Sequence, residues 1–266
     1  MYTTTFGFAR PPFRKDVASE KLFRNDRLDE LHSRLLYLVK TRAIGLLTGE
    51  PGSGKSTALR RLREDLHPEQ IRLLYLHDTA VSPRDFCDQI AFELGIKPHV
   101  SRARTLRAIH NEIKRLTTER RLTVLLVVDE AQSLRYETLA LLPVLLSFGW
   151  DAADRLALLL VGQLGLHQKL RFAQLEPLAQ RITVRFCLSG LDRPTTAAYL
   201  AHRLEIAGIT HPLFTEPATE ALFNASGGVM RQIDNLAHHA LAVAATNGAK
   251  IVEPDHVRHA AEEIRA

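Results

Sequence analysis

Residues 49 to 56 read GEPGSGKS and lie between an apolar run, Ala43 to Thr48, and a basic amphipathic stretch, Lys55 to Leu66. Few short segments limit a fold so strongly. The spacing Gly49-x-x-x-x-Gly54-Lys55-Ser56 asks for a strand, a glycine loop and a helix in immediate succession. The glycines let backbone N–H groups wrap a polyphosphate, Lys55 neutralises its charge and Ser56 ligates Mg²⁺. A helix opening at Lys55 turns its positive dipole end toward the same anion. The expected nucleotide contacts are Gly49, Glu50, Pro51, Gly52, Ser53, Gly54, Lys55, Ser56 and Thr57, with ATP and Mg²⁺ as the ligands.

Strand-like apolar runs recur at Ala43–Thr48, Ile71–His77, Leu122–Val128, Leu156–Gly162 and Ile182–Leu188, with helical patterns between them. Such alternation predicts an α/β fold, a parallel five-stranded sheet sandwiched by helices. The intervening helices are expected at Lys55–Leu66, Ser82–Leu94, Ser101–Glu119, Leu134–Leu146 and Leu164–Phe172. After Leu191 the strand signal stops, and four helical segments follow at Arg193–Ala207, Glu216–Ala225, Val229–Asn247 and Pro254–Ile264. The expected organisation is a nucleotide-binding core over 1–190, with 1–25 as an N-terminal strap on it, and a small all-helical lid domain over 191–266.

A chain of 266 residues with 45% hydrophobic content can bury a full core. No apolar stretch approaches the roughly 20 residues that a membrane span needs. The N-terminus lacks the basic-then-apolar layout of a signal peptide. Cys87 and Cys187 lie far apart without ligand spacing and read as reduced, buried thiols, so a cytoplasmic location is expected. The formal charge of +5 permits contact with nucleic acid without requiring it.

The aliphatic run Leu122–Val128 delivers Asp129 and Glu130 to the carboxyl edge of the sheet, where ligands of such folds collect. Asp129 is placed to hold Mg²⁺ through water beside Ser56. Glu130 can act as general base on a water attacking the γ-phosphate. Gln163 follows the strand Leu156–Gly162 and can reach both phosphate and water with its amide. Arg181, in PLAQR just before the last strand, sits at the rim of the core, where it suits a neighbour's nucleotide better than its own. Arg171 and Arg185 are alternatives for that trans finger. Arg231 opens a helix after Gly227-Gly228, which read as a hinge permitting the helical unit to close on the phosphates. The catalytic set is therefore Lys55, Glu130, Gln163, Arg181 and Arg231.

Over Arg84 to Arg121 basic residues outnumber acids, with Arg102, Arg104, Arg107, Lys114 and Arg115 as candidates for sequence-independent contact with duplex DNA. Two solvated helices with i, i+4 pairs would read the same way. Phe6, Phe8 and Phe13, around Pro11-Pro12, fit a packed strap better than a base-stacking platform. His256 and His259 share a helix face without a third metal ligand nearby.

In order and wording, FGFARPPF, LLTGEPGSGKST, VVDEAQSL, LLLVGQ, LAQRITVRF and ASGGVMRQIDNL resemble the AAA+ ATPases, and within them the ExeA/GspA-like family. The resemblance covers nearly the whole chain: Walker A at Gly49–Ser56, Walker B at Leu125–Glu130, a first-sensor position at Gln163, a finger at Arg181 and a second-sensor position at Arg231. It implies an ATP hydrolase working as a homo-oligomer, either a ring or a helical filament. That family includes ATPases encoded beside bacterial transposases. The expectation is a transposition regulator that assembles with ATP on double-stranded DNA, recruits a transposase and is dismantled by hydrolysis. The alternative is a secretion-pathway ATPase at the inner membrane. Secretion members carry a membrane anchor and a periplasmic extension beyond the ATPase, so a sequence ending at Ala266 leans toward DNA.

Overall fold

The computed structural model describes residues 2–149 and 151–265. The chain opens with α1 (Tyr2–Thr5), α2 (Asp26–Thr41), β1 (Ile44–Gly49), α3 (Lys55–Asp65) and β2 (Ile71–Leu76). It continues through α4 (Pro83–Leu94), α5 (Arg102–Thr118), β3 (Thr123–Val128), α6 (Tyr136–Leu146) and β4 (Leu156–Gly162). Then follow α7 (Gly165–Lys169), α8 (Glu176–Arg181) and β5 (Ile182–Leu188), and finally α9 (Arg193–Ile206), α10 (Glu216–Ser226), α11 (Met230–Thr246) and α12 (Pro254–Arg265). Among the described residues no helix is long and apolar enough to cross a membrane.

Strands β1 to β5 form one parallel five-stranded sheet in the order β2-β3-β4-β1-β5. Side chains alternate across a strand, and here both faces are covered. Leu46, Leu126, Val128, Leu158 and Leu160 enter one buried cluster, with Phe86, Ile109 and Leu142 from the helices on that side. Leu47, Leu125, Val127, Leu159 and Val161 enter the other, against Leu31, Leu35 and Leu62. Burial on both faces is why the strands read as unbroken aliphatic runs.

The helix boundaries follow local chemistry. Ser82 caps α4 by accepting from Asp85 N, Pro83 opens it, and Gly95 closes it in a left-handed conformation. Asp192 and Thr215 cap α9 and α10 in the same manner. The stretch Leu164–Phe172, expected as one helix, is shorter. It tightens after α7 into a 3-10 turn at Ala173–Leu175, and α8 starts anew with Pro177 in its first turn. Proline lacks the N–H that would continue the earlier ladder.

By contact the residues separate into two units. The α/β unit holds Arg27–Gly49 and Lys55–Leu188, and the helical unit holds Met1–Asp26, Glu50–Gly54 and Ser189–Ala266. The N-terminal segment, expected as a strap on the core, therefore belongs with the helices. Tyr2 and Phe6 are buried among Tyr199, Leu204 and Leu241, and Phe8 and Phe13 pack against the same cluster. Ala9 N donates to Ala207 O (3.0 Å), Arg10 Nε donates to Ile206 O (3.1 Å), and the Tyr2 hydroxyl bonds His238 Nδ1 (2.9 Å). Aromatic side chains near the terminus thus add apolar area to the core of the helical unit.

Two further expectations are corrected. Gly227-Gly228 is not an open hinge: Leu191 N donates to Gly228 O at 2.8 Å, and a Cβ on Gly228 would stand 2.0 Å from Leu191 O. Of the cysteines only Cys87 is buried, which pushes its thiol up to about 11, whereas Cys187 is exposed on the edge strand β5.

Inside the helical unit, Asp234 on α11 accepts from the Tyr199 hydroxyl (2.8 Å) and lies 3.7 Å from the buried Arg203 guanidinium. Arg203 in turn donates to Arg14 O (2.7 Å), tying the N-terminal segment to the same cluster. Burial raises the Asp234 carboxyl to about 6 against the opposing pull of Arg203. An unfolded aspartate titrates near ~3.9, so between the two values the folded state binds the extra proton. The resulting stability is complete below about pH 4 and is lost as pH rises through 6. Asp234→Asn cannot titrate. In urea titrations, the stability of the parent minus that of Asp234→Asn is expected to fall by about 2 kcal/mol between pH 4 and pH 7.5. A pH-independent difference would remove the buried-carboxyl assignment.

Candidate active site

Parallel pairing sets the site. Strand β4 lies between β3 and β1, with Thr48 beside Gly162 and Val128 beside Leu160. Whatever follows Val128, Thr48 and Gly162 must therefore emerge side by side at one edge. Gly49, Asp129-Glu130 and Gln163 are those residues, as the sequence predicts.

Around the loop, Lys55 is only 7% exposed and its ammonium donates to Gly49 O at 2.9 Å. Ser56 and Thr57 are exposed in the first turn of α3. Glu50 to Gly54 group with the helical unit, where Gly52 O accepts from Arg231 N (3.2 Å). Gly52 and Gly54 have φ of +88° and +102°, values that side chains resist. The Ser53 hydroxyl is buried without a hydrogen-bond partner. An orphaned donor within a glycine loop, two residues before a sequestered ammonium in sequence, fits a polyphosphate.

At the end of β3, Asp129 is buried and Glu130 exposed. Glu130 adopts φ +51°, a left-handed conformation that costs a non-glycine residue about 1 kcal/mol or more. Its backbone is pinned there. Glu130 N donates to Asp129 Oδ1 (2.9 Å), and Glu130 O accepts from the Thr79 hydroxyl (3.0 Å) and from Ser133 N (2.9 Å). The Tyr75 hydroxyl donates to Asp129 Oδ2 at 2.7 Å. Burial and the neighbouring carboxylates push that phenol far above its ordinary range, so it remains a donor at neutral pH. Gln132 links the two strand ends: its Nε2 donates to Glu130 Oε2 (2.6 Å) and its Oε1 accepts from Gln163 N (3.0 Å). At the end of β1, Thr48 and His167 share a hydrogen bond of 2.7 Å, and burial followed by Arg185 and Arg171 lowers the His167 pKa.

Tyr75, Thr79, Gln132 and His167 were not singled out from sequence. Only Gln132 carried a signal, standing two residues after the acid pair within VVDEAQSL.

Residues 38–170 match the AAA domain family. The chain belongs to the AAA domain family. It is 35% identical over 262 residues to general secretion pathway protein A of Aeromonas hydrophila, an alignment covering 96% of this chain and 47% of that protein. The chain thus spans about half the length of the curated relative it matches. Drosophila ORC in a structure bound to DNA superposes with a TM-score of 0.70 at 18% identity, covering 100% of this chain and 66% of that one. Aeropyrum pernix ORC2, in ADPNP–ADP complexes, gives 0.67 at 18% identity, covering 97% and 72%. The AAA membership implied by the order of the motifs is borne out, and the two structures share its fold.

Elsewhere in this AAA domain the expected arginines differ in how they are engaged. Arg181 donates to Asp151 Oδ2 (2.6 Å) and to Pro143 O (3.2 Å), satisfying one of the last carbonyls of α6. Arg185 donates to Ala179 O (2.7 Å). Arg171 is exposed at the rim of a cavity of about 670 Å³ that His167, Phe172 and Arg185 also line. On α5, Arg102, Arg104, Arg107 and Lys114 are exposed, whereas Arg115 forms a bidentate pair with Glu112 (2.6 and 2.8 Å). Arg115 is therefore partly neutralised by its own helix, through an i, i+3 pair rather than the i, i+4 pairs of the alternative reading of this segment.

The conformation of Glu130 is separable from its chemistry. Glycine tolerates a left-handed backbone and alanine does not, so Glu130→Gly is expected to be more stable than Glu130→Ala by about 1 kcal/mol in urea denaturation. Equal stabilities would mean that the backbone there is unstrained.

Proposed function

We propose that this AAA domain hydrolyses ATP and that its ATP-bound subunits assemble on duplex DNA. The observation carrying the hydrolytic half is the Glu130 carboxylate, held in place at the same carboxyl edge of the sheet as the phosphate loop, one strand (β4) away from the loop's own strand β1. In this reading the loop residues Gly49 to Thr57 bind the phosphates, and Lys55 offsets their charge. Ser56 and Asp129 would hold Mg²⁺, which supplies further neutralisation of the phosphates when bound. Glu130 takes the proton of the attacking water, the Gln163 amide orients that water, and Arg231 contacts phosphate. A finger in trans comes from Arg181, or from Arg171 or Arg185. If it is Arg181, it must first leave Asp151.

The DNA half rests on α5. At 100° per residue, Arg104, Arg107 and Lys114 fall within about 80° of one another on the helix wheel, opposite the buried Ile109, Ile113 and Leu116. Arg102 and Arg104 occupy a first turn that holds no acidic residue, where cations oppose the helix dipole. Helix stability does not account for them, and a polyanion does. The DNA-bound state of the Drosophila ORC relative in fold supports the same ligand class. The narrower role is that of a transposition regulator in the cytoplasm, whose ring or filament recruits a transposase and is released by hydrolysis. It draws on the motif resemblance. A second reading, a secretion-linked ATPase, is favoured by the identity with general secretion pathway protein A.

Two experiments test the proposal. Glu130→Gln is expected to lower turnover by about 10² to 10⁴ while retaining binding of a fluorescent ATP analogue, since the phosphate contacts remain. Lys55→Ala is expected to lose binding itself. Parental hydrolysis in Glu130→Gln would end the base assignment. For DNA, anisotropy of a labelled duplex over a salt series should report binding only with ATP or a non-hydrolysable analogue, with steep weakening as salt rises. Neutralising Arg102, Arg104, Arg107 and Lys114 together should flatten that slope. Absence of ATP-dependent binding at low salt would transfer the proposal to the secretion reading.

A further inference from the structure

The side chain of Gln132 touches both the carboxylate of Glu130 and the backbone of Gln163, residues that follow different strands. Its orientation is not free. Gln163 N is a donor, so the Gln132 oxygen must face it, and the amide NH₂ is thereby turned onto Glu130 Oε2. The reverse orientation would set NH₂ against N–H. Its backbone is held as well: Lys169 Nζ donates to Gln132 O (2.7 Å) and to Leu134 O (2.5 Å), while lying 5.1 Å from the Tyr136 ring centroid. Gly162 supplies the space, because a Cβ there would stand 2.6 Å from Gln132 Oε1. Two strand ends, one amide and one ammonium thus form a continuous bridge, and the exposed Glu130 carboxylate is its terminal member.

We propose that Gln132 is the positioning residue for Glu130, fixing its carboxylate through one oxygen and coupling that orientation to the peptide that carries Gln163. The inference rests on the reading of Glu130 as general base. The amide occupies Oε2 and leaves Oε1 to receive the proton from water. An unanchored glutamate on a left-handed backbone would sample several rotamers, and the fraction of time in attack geometry would fall. Displacement of the Gln163 peptide would be transmitted through a planar amide to the base, so that the end of β4 and the base move together. Asparagine, one methylene shorter, cannot span both contacts.

Steady-state ATP hydrolysis over a pH series tests this, with the folded state of each variant checked by circular dichroism. Gln132→Ala and Gln132→Asn are expected to lower kcat by about 10- to 100-fold with KM for ATP within about twofold. Gly162→Ala leaves Gln132 in place but pushes its amide aside, and should show the same split. The double variant Gln132→Ala/Gly162→Ala should lose little more than either single variant, because both break the same bridge. Gln132→Glu keeps the shape but sets a second carboxylate beside the base. The acidic limb of its pH–rate profile should then move to higher pH, a change that loss of packing alone would not produce. If Glu130→Gln retains hydrolysis, the base reading falls and the inference with it. If Glu130→Gln is inactive while Gln132→Ala and Gly162→Ala keep parental kcat, or Gln132→Glu keeps the parental pH profile, the inference alone is overturned.

Discussion

Parallel pairing of β3, β4 and β1 is the constraint on which the rest of the molecule depends. A parallel sheet needs helices on both faces, and each crossover returns the chain to the same end of the next strand. The carboxyl ends of three adjacent strands then stand in a row about 5 Å apart. Gly49, Asp129-Glu130 and Gln163 become neighbours although more than a hundred residues separate the first from the last. None of their side chains has to organise the site. Aliphatic packing on the two faces does so, through residues such as Leu47, Leu126 and Leu160 that have no part in the chemistry.

Polar groups at this edge are held mostly from behind. Thr79 holds the Glu130 carbonyl, Tyr75 the Asp129 carboxylate, and Lys169 the backbone of Gln132. The arrangement concentrates conformational cost in a single residue, Glu130, whose left-handed backbone is over-determined by three hydrogen bonds. Strain confined in this way leaves the exposed carboxylate directed, with Gln132 on one of its oxygens. The half-buried ammonium of Lys169 fits the same scheme: partial burial lowers its pKa, yet two carbonyls and an aromatic face receive its charge.

The helical unit solves a different problem. Its helices α9 to α12 supply most of the core, and the N-terminal segment adds Tyr2, Phe6, Phe8 and Phe13 from nearly two hundred residues away in sequence. A buried cluster of Tyr199, Arg203 and Asp234 fixes that segment by hydrogen bonding the backbone at Arg14. Burying these groups carries a stability cost visible in the raised Asp234 pKa.

The sequence by itself determined the strands and most helix boundaries, because unbroken aliphatic runs, period-3.6 patterns, capping residues and proline are local signals. It also determined the phosphate loop and the acid pair, since glycine spacing and an Asp-Glu after an aliphatic run depend on contiguous residues. The Glu112–Arg115 pair, although only three residues apart on one helix, was not read from the sequence, which offered Arg115 as a DNA contact. Tertiary structure alone decided that Arg181 is occupied by Asp151 and Pro143, that Phe6 packs beneath α11 rather than on the sheet, and that Gln132 joins Glu130 to Gln163. Each of these joins residues brought together by the fold, some across dozens or hundreds of positions. A side chain's partner at that distance is set by which strand ends and helix faces pack side by side, and no pattern within a window of contiguous residues encodes it.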